Sequence, residues 1–338
     1  MNLRDAQQLS SLLAQPRSIV IIPHKNPDGD AIGSTLGLSH FLNGRGHNTT
    51  VIVPNEFPKF LKWVPGSAAV LNFERQNQQA IKAIAEASLI FTLDFNDFSR
   101  TGQMETILTE TKADFVMIDH HQEPGNYAKI TYSDVSMSST CEMVYHLIQA
   151  LDGHEEITKD IATCLYLGIM TDTGSFKYRS TTSTTHRVAA DLIDKGAENM
   201  QIHQNVYDNS SPSRLRLLGV ALNNLVILEE YCTAYMTMSQ EELDQHNFQK
   251  GDTEGFVNYG LTLENINLAV IFIENKEEQI IKISFRSIGD FSVNKFARAH
   301  FNGGGHDNAA GGRSLTSLQA TTEKFMTLLK DYKSQLCY

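Results

Sequence analysis

The chain has 338 residues, enough for two domains that each bury a core of their own. Its 41% apolar and 20% charged residues make a globular composition and exclude collagen-like and mostly disordered classes. A net charge of −11 excludes a broad counterion-releasing surface for long nucleic acid, so any phosphate ligand is expected to be short. The four cysteines, Cys141, Cys164, Cys232 and Cys337, lie far apart with no CxxC pair. That spacing predicts neither a disulfide framework nor a zinc knuckle, and it points to a reducing compartment. The first fifteen residues, MNLRDAQQLSSLLAQ, lack the apolar core of a signal peptide, and no stretch of about 20 apolar residues predicts a membrane span. The expected setting is the cytoplasm, with no membrane partner.

In chain order, short apolar runs alternate with helical patterns. Runs at 18–23 (SIVIIP), 48–53 (NTTVIV), 89–94 (LIFTLD) and 114–119 (DFVMID) predict strands buried on both sides, because they are continuous rather than alternating. Helix-compatible stretches at 29–42 and 77–87 separate them, which predicts a doubly wound parallel α/β sheet. Helices are expected at 139–151, 159–170 and 184–195, closing a first domain at 1–196. A polar stretch, an Asn-Ser-Ser-Pro turn at 209–212 and a helix at 213–224 make a linker over 197–225. From 226 to 338 the pattern turns β-rich, with VILEE, YCTAYMTM, LAVIFIE and IIKISFRS, and predicts a smaller α+β domain.

The polar residues fall at the strand ends. The first strand runs into His24, and the next loop carries Asp28 and Asp30 (HKNPDGDAIGS). The third ends in Asp94 and the fourth in Asp119-His120-His121, while TDTGSF after the 159–170 helix brings Asp172. Ligands of open α/β sheets gather at the carboxyl ends of strands, so these segments are expected in one crevice. Asp28, Asp30, Asp94 and Asp172 together would repel unless cations neutralise them or some stay protonated. Mixed imidazole and carboxylate donors suit two ions of Mn²⁺, Mg²⁺, Zn²⁺ or Fe²⁺, as in two-metal phosphoryl transfer.

With these four segments, and with ISFRS at 283–287 and FNGGGHDNAAGG at 301–312, the chain resembles the DHH phosphoesterases of the DHH–DHHA1 branch, over roughly 15–315. Within that family the likeness is greatest to bifunctional oligoribonuclease/pAp phosphatases. The resemblance implies that His24, Asp28 and Asp94 hold one cation. It assigns Asp30, Asp94, His120 and Asp172 to the second, with Asp94 as the bridge. Mn²⁺ is the expected ion and Mg²⁺ the alternative. Asp119 is expected to fix the His120 imidazole or steady the turn, and His121 to face the scissile phosphate. The implied active site lies in a cleft between the two domains. Asn302 departs from the family pattern, where Gly is common.

The second domain carries its own phosphate chemistry. Between 282 and 313, Lys282, Arg286, Lys295, Arg298 and Arg313 face only two acidic residues. Gly303, Gly304 and Gly305, ahead of His306, would let a backbone approach a ligand with its N–H groups outward. Arg286 can grip a phosphate bidentately, and Arg100, just after Asp94, is a further candidate. The expected reaction is metal-dependent hydrolysis of short RNA or DNA oligonucleotides and linear dinucleotides to mononucleotides, and of pAp to AMP and phosphate, by a monomer or homodimer. The alternatives are a pyrophosphatase or short-chain polyphosphatase, or a catalytically silent nucleotide sensor.

Overall fold

The apolar run SIVIIP forms strand β1 (Ser18–Pro23) in the middle of a sheet in the computed structural model, which describes residues 3–337. Around it lie β2 (Asn48–Val53), β3 (Leu71–Asn72), β4 (Leu89–Leu93), β5 (Asp114–Asp119) and β6 (Ile130–Ser133). All pair in parallel, in the order β3-β2-β1-β4-β5-β6. The order reverses at the β1/β4 seam, where two neighbouring strands lead off to opposite sides and open a crevice at their carboxyl ends.

Alternate residues of β1 enter different cores. Ile19 and Ile21 join one with α1 (Leu3–Leu12) and α2 (Gly29–Gly44). Val20 and Ile22 join another with α3 (Asn77–Glu86) and α4 (Glu105–Glu110). That two-sided burial is why the strand sequence is apolar throughout. Helices α5 (Thr140–Ala150), α6 (Lys159–Asp172), α7 (Ser183–Asp194) and α8 (Asn199–Tyr207) complete the first core.

The chain divides into two units between Asn209 and Ser210. The stretch 197–225 is therefore shared between them rather than forming a separate linker. Ile202 of α8 is buried in the first unit's core, and Leu217 and Ala221 of α9 (Pro212–Asn223) in the second's.

The second unit is a mixed sheet of β7 (Val226–Leu228), β8 (Thr233–Met238), β9 (Leu268–Asn275), β10 (Ile280–Ser287), β11 (Gly304–His306) and β12 (Ala309–Ser314). Its order is β11-β12-β10-β9-β8-β7, with β8 and β9 parallel and the other pairs antiparallel. Alternate residues of β9 again serve two cores. Leu268, Val270 and Phe272 meet α11 (Val293–His300) and α12 (Leu318–Leu336). Ala269, Ile271 and Ile273 share the other core with α9 and α10 (Gln240–Gln245). The architecture is a doubly wound α/β unit followed by an α+β unit.

Two further expectations need correction. The glycine run is not a loop with outward N–H groups, because β11 is an edge strand on β12. The Gly303 N–H donates to Ala297 O at 3.2 Å and the Gly305 N–H to Asn294 Oδ1 at 3.1 Å. A Cβ at Gly303 would sit 2.0 Å from Gly311 O, and one at Gly305 2.5 Å from Ala309 O, so tight strand pairing accounts for both glycines. Second, Cys232 and Cys337 form a disulfide across 105 residues of sequence. Sequence spacing detects local pairs only, and here the fold brings distant residues together. Cys141 and Cys164 are free and buried. Among the described residues, no helix is long and apolar enough to cross a membrane.

Candidate metal centre

Each strand of the crevice delivers a polar side chain just where its apolar run stops. His24 follows β1 and is buried. Its Nδ1 lies 2.9 Å from Lys25 O, and since a carbonyl only accepts, Nδ1 carries the proton. Nε2 then faces Asp94 Oδ2 at 3.3 Å and Asp28 Oδ2 at 3.9 Å. Asp28 is held by capping α2, its Oδ1 accepting from Asp30 N at 3.1 Å and Ala31 N at 3.0 Å.

Asp94 stands one residue beyond β4 with a left-handed backbone, φ 65°. Its two oxygens serve different neighbours. Oδ2 faces His24, while Oδ1 lies 3.6 Å from His120 Nε2 and accepts from Thr140 Oγ1 at 3.1 Å. His120 repeats the pattern of His24: Nδ1 donates to Met137 O at 3.2 Å, and Nε2 faces carboxylates. These are Asp172 Oδ2 at 3.5 Å and Asp30 Oδ2 at 3.9 Å. Both oxygens of Asp30 are gripped by the start of α5, from Thr140 N at 2.7 Å and Cys141 N at 2.9 Å. Asp172 is the last residue of α6.

The donor atoms of His24, Asp28 and Asp94 fall within 4.8 Å of one another, as do those of Asp30, His120 and Asp172. Asp94, with one oxygen toward each group, joins the two. Each imidazole has its Nδ1 proton tied to a backbone carbonyl and Nε2 turned to carboxylates, the arrangement that readies an imidazole for a cation. The electrostatics agree. Burial, then the Asp94 and Asp172 charges, hold the Asp30 carboxyl well above its usual range. Burial raises Asp172 to about 6 against the pull of His120, and the Asp94 and Asp28 charges add to the rise. Burial opposes charge on His24, but the Asp94 hydrogen bond and the Asp28 and Asp94 charges prevail and lift it to about 9. Burial likewise opposes ionisation of Asp94, and hydrogen bonds from His120 and His24 outweigh it and hold that carboxyl well below its usual range. So much negative charge in a buried place fits divalent cations by donor type and by count.

Asp119 departs from expectation. Its Oδ1 accepts from His121 Nδ1 at 2.7 Å, so it fixes His121, while Met137 O fixes His120. Asp119 is fully buried, and its Oδ2 has no hydrogen-bond partner among the described residues. His121 Nδ1 is also 3.8 Å from Asp94 Oδ1. Arg100 lies near enough that its charge pushes against the proton on His24, and its carbonyl accepts from Lys25 N at 2.7 Å.

In the second unit, Arg286 on β10 donates from Nη1 to Phe285 O at 2.9 Å. Its Nε is buried without a partner among the described residues. His306 ends β11. Sequence reasoning missed Thr140 and Cys141. The Ser138-Ser139-Thr140 run ahead of a helix is a capping signal, but nothing local says that the new helix start meets Asp30 across 110 residues.

The DHH family, N-terminal domain model matches residues 18–169, and the DHHA1 domain model matches residues 229–336. A bifunctional oligoribonuclease and PAP phosphatase from Thermus thermophilus is 29% identical over 293 residues, covering 87% of this chain and 83% of that protein. The protein of the same description from Bacillus subtilis is 27% identical over 298 residues, 87% of this chain and 88% of that one. The solved structure of an exopolyphosphatase-related protein from Bacteroides fragilis is 40% identical with a TM-score of 0.95, covering 99% of this chain and 98% of that one.

Proposed function

We propose, for a chain that belongs to the DHH family and carries a DHHA1 domain, that it hydrolyses short oligoribonucleotides and linear dinucleotides to mononucleotides, and pAp to AMP and phosphate. The observation that carries the reading is Asp94, one oxygen toward each of two histidine–carboxylate groups. His24, Asp28 and Asp94 hold one divalent cation, and Asp30, Asp94, His120 and Asp172 the other, with Mn²⁺ first and Mg²⁺ as the alternative. Such a pair neutralises phosphate charge and acidifies water at neutral pH.

The chain's own side chains do the rest. Asp119 keeps the proton of His121 on Nδ1 and fixes the ring plane, so that Nε2 is the atom offered to the phosphate. Thr140 and Cys141 immobilise the carboxylates before substrate arrives, which removes reorganisation from the reaction. Arg286, whose buried Nε lacks a partner among the described residues, takes a phosphate away from the scissile bond, with His306 and the Gly303–Gly305 strand edge beside it in the second unit. Arg100 offers a positive charge close to His24. The names of the Thermus and Bacillus relatives support short RNA and pAp as substrates.

A second reading, short polyphosphate or pyrophosphate, is favoured by the name of the Bacteroides relative. The test is a panel of pAp, pApA, five-residue RNA, a cyclic dinucleotide, pyrophosphate and short polyphosphate, each with Mn²⁺. Turnover of pApA and pAp, abolished by EDTA and by Asp94→Asn, is the expected result. Turnover of polyphosphate or pyrophosphate alone moves the chain to the second reading, and binding of pApA without turnover makes it a sensor.

A further inference from the structure

The chain just beyond Asp172 holds an uncommon backbone. Gly174, Ser175 and Phe176 have φ of 56°, 61° and 64°, three left-handed residues in succession, two of them not glycine. Left-handed backbone is unfavourable for an L-residue, and it persists only where the surroundings impose it.

The two that are not glycine are each gripped by a histidine from a later helix. The ring of Phe176 stacks on His186 of α7, with centroids 5.5 Å apart and planes at 26°. The hydroxyl of Ser175 lies 2.9 Å from Nε2 of His203 on α8. The direction of that bond follows from the other ring nitrogen. His203 Nδ1 lies 3.1 Å from Asn199 O, and a carbonyl can only accept, so Nδ1 carries the proton. Nε2 of the neutral ring is then the acceptor and the Ser175 hydroxyl the donor. The backbone closes the turn from the other side, with Ser175 N donating to Met170 O at 2.8 Å and Gly174 N to Thr171 O at 3.2 Å. Both acceptors belong to the final turn of α6, the turn that carries Asp172.

We propose that His203 is a positioning residue for Asp172. Through Ser175 it holds the left-handed turn that stops α6 and thereby sets the direction of the Asp172 carboxylate toward His120. Without that bond the strained residues can relax, and the last turn of α6 is the segment to which they are tied. The proposal rests on the reading of Asp172 as a cation ligand, which the experiment checks separately.

The measurement is equilibrium binding of Mn²⁺ to the full chain, followed by EPR and calorimetry, with folding monitored by circular dichroism. The wild-type chain binds two ions, and Asp172→Asn weakens one of them. If either of these fails, the reading of the metal centre falls and this proposal with it. Outer partners of metal ligands typically contribute about 10–100-fold to affinity. His203→Ala is therefore expected to weaken the same ion as Asp172→Asn by that factor, and to add little on top of it. His203→Gln, whose amide oxygen can still accept from Ser175, is expected to stay within about threefold of wild type.

Ser175→Gly separates positioning from general stability. Glycine relieves the left-handed strain, so the melting temperature holds or rises, yet the hydroxyl is gone and the second ion still binds more weakly. With two ions bound by wild type and one weakened by Asp172→Asn, three results overturn the proposal. They are wild-type affinity for both ions in His203→Ala, equal weakening of both ions, and a Ser175→Gly chain that binds both as wild type does.

Discussion

In the metal-free chain the buried imidazoles should make stability fall as pH rises, and Mn²⁺ should remove that fall. His24 sits at about 9 in the folded chain against 6.5 for the free side chain. The folded state therefore keeps a proton that the unfolded state releases. The stabilisation is fully present below pH 6.5 and is lost as pH climbs through about 9. At ~1.36 kcal/mol for each tenfold change in proton affinity, the interval is worth about 3 kcal/mol. His120 is also held well above its usual value, since the Asp94 hydrogen bond and the Asp172 charge overcome the effect of burial, and it adds in the same direction. Asp172, raised to about 6, has lost most of its proton by the start of this window. For a unit of roughly 200 residues, ~1 kcal/mol moves the melting temperature by about 2–4 °C. Thermal unfolding in EDTA should therefore drop by about 6–12 °C between pH 6.5 and 9.5. With Mn²⁺ bound to the deprotonated Nε2 atoms, the drop should vanish or reverse, because the cation takes the place of the protons. His24→Gln in EDTA should make the fall shallower and leave the part that His120 contributes. A metal-free melting temperature that is flat or rising over this range would refute the charge balance deduced for the centre.

The two adjacent histidines should behave differently. His121→Ala should retain both ions and lose about 10²–10⁴ in kcat, whereas His120→Ala should lower metal content measured by mass spectrometry, and equal metal loss in both would mean that the roles are misassigned. At Gly168 a Cβ would lie 2.1 Å from Cys141 Sγ and 2.7 Å from Asp30 Oδ1. Gly168→Ala should therefore destabilise by about 1–3 kcal/mol in urea unfolding and weaken Mn²⁺ binding, with Cys141→Ala restoring part of both. An unchanged Gly168→Ala protein would sink the idea that α6 packs hard against the Asp30 ligand. Arg286→Ala should raise KM for pAp and pApA by about 10–100-fold, the range of a charge-assisted hydrogen bond. Hydrolysis of bis-p-nitrophenyl phosphate should stay near wild type, and equal slowing of both substrates would place Arg286 at the reaction itself.

Much of the candidate metal centre is legible because several of its residues stand where an apolar run ends. His24, Asp94 and the Asp119-His120-His121 triplet all mark the exit of a buried strand, and the strand order places those exits together. What stayed hidden depends on contacts between distant segments. The hold of Thr140 and Cys141 on Asp30 spans about 110 residues. The partner of Asp119 depends on which neighbouring ring turns its Nδ1 to the carboxylate, and a triplet of adjacent letters does not encode that. Gly303 and Gly305 carry the composition of a ligand loop, yet their smallness is used for pairing with β12. Strands β3 and β6 have two and four residues, too short to set up a recognisable period. The sequence pattern ends the 159–170 helix two residues short, because nothing local distinguishes the last turn of α6 from the TDTGSF loop that follows, and it places Asp172 beyond the helix.

The Cys232–Cys337 bond brackets most of the second unit, since β8 through α12 all lie between its ends. A cross-link closing a loop of about 100 residues contributes on the order of 4–5 kcal/mol by restricting the unfolded chain. It also changes what a cut peptide bond means. A protease that nicks any exposed turn between residues 233 and 336 leaves two pieces still joined by sulfur, so neither can diffuse away and the core can reclose around the nick. Such a nicked chain would run as one species on a non-reducing gel and as separate fragments after thiol treatment. The first unit, whose Cys141 and Cys164 are free, has no such tether, so a nick there can release its pieces. Damage tolerance is thus distributed unequally along this one polypeptide.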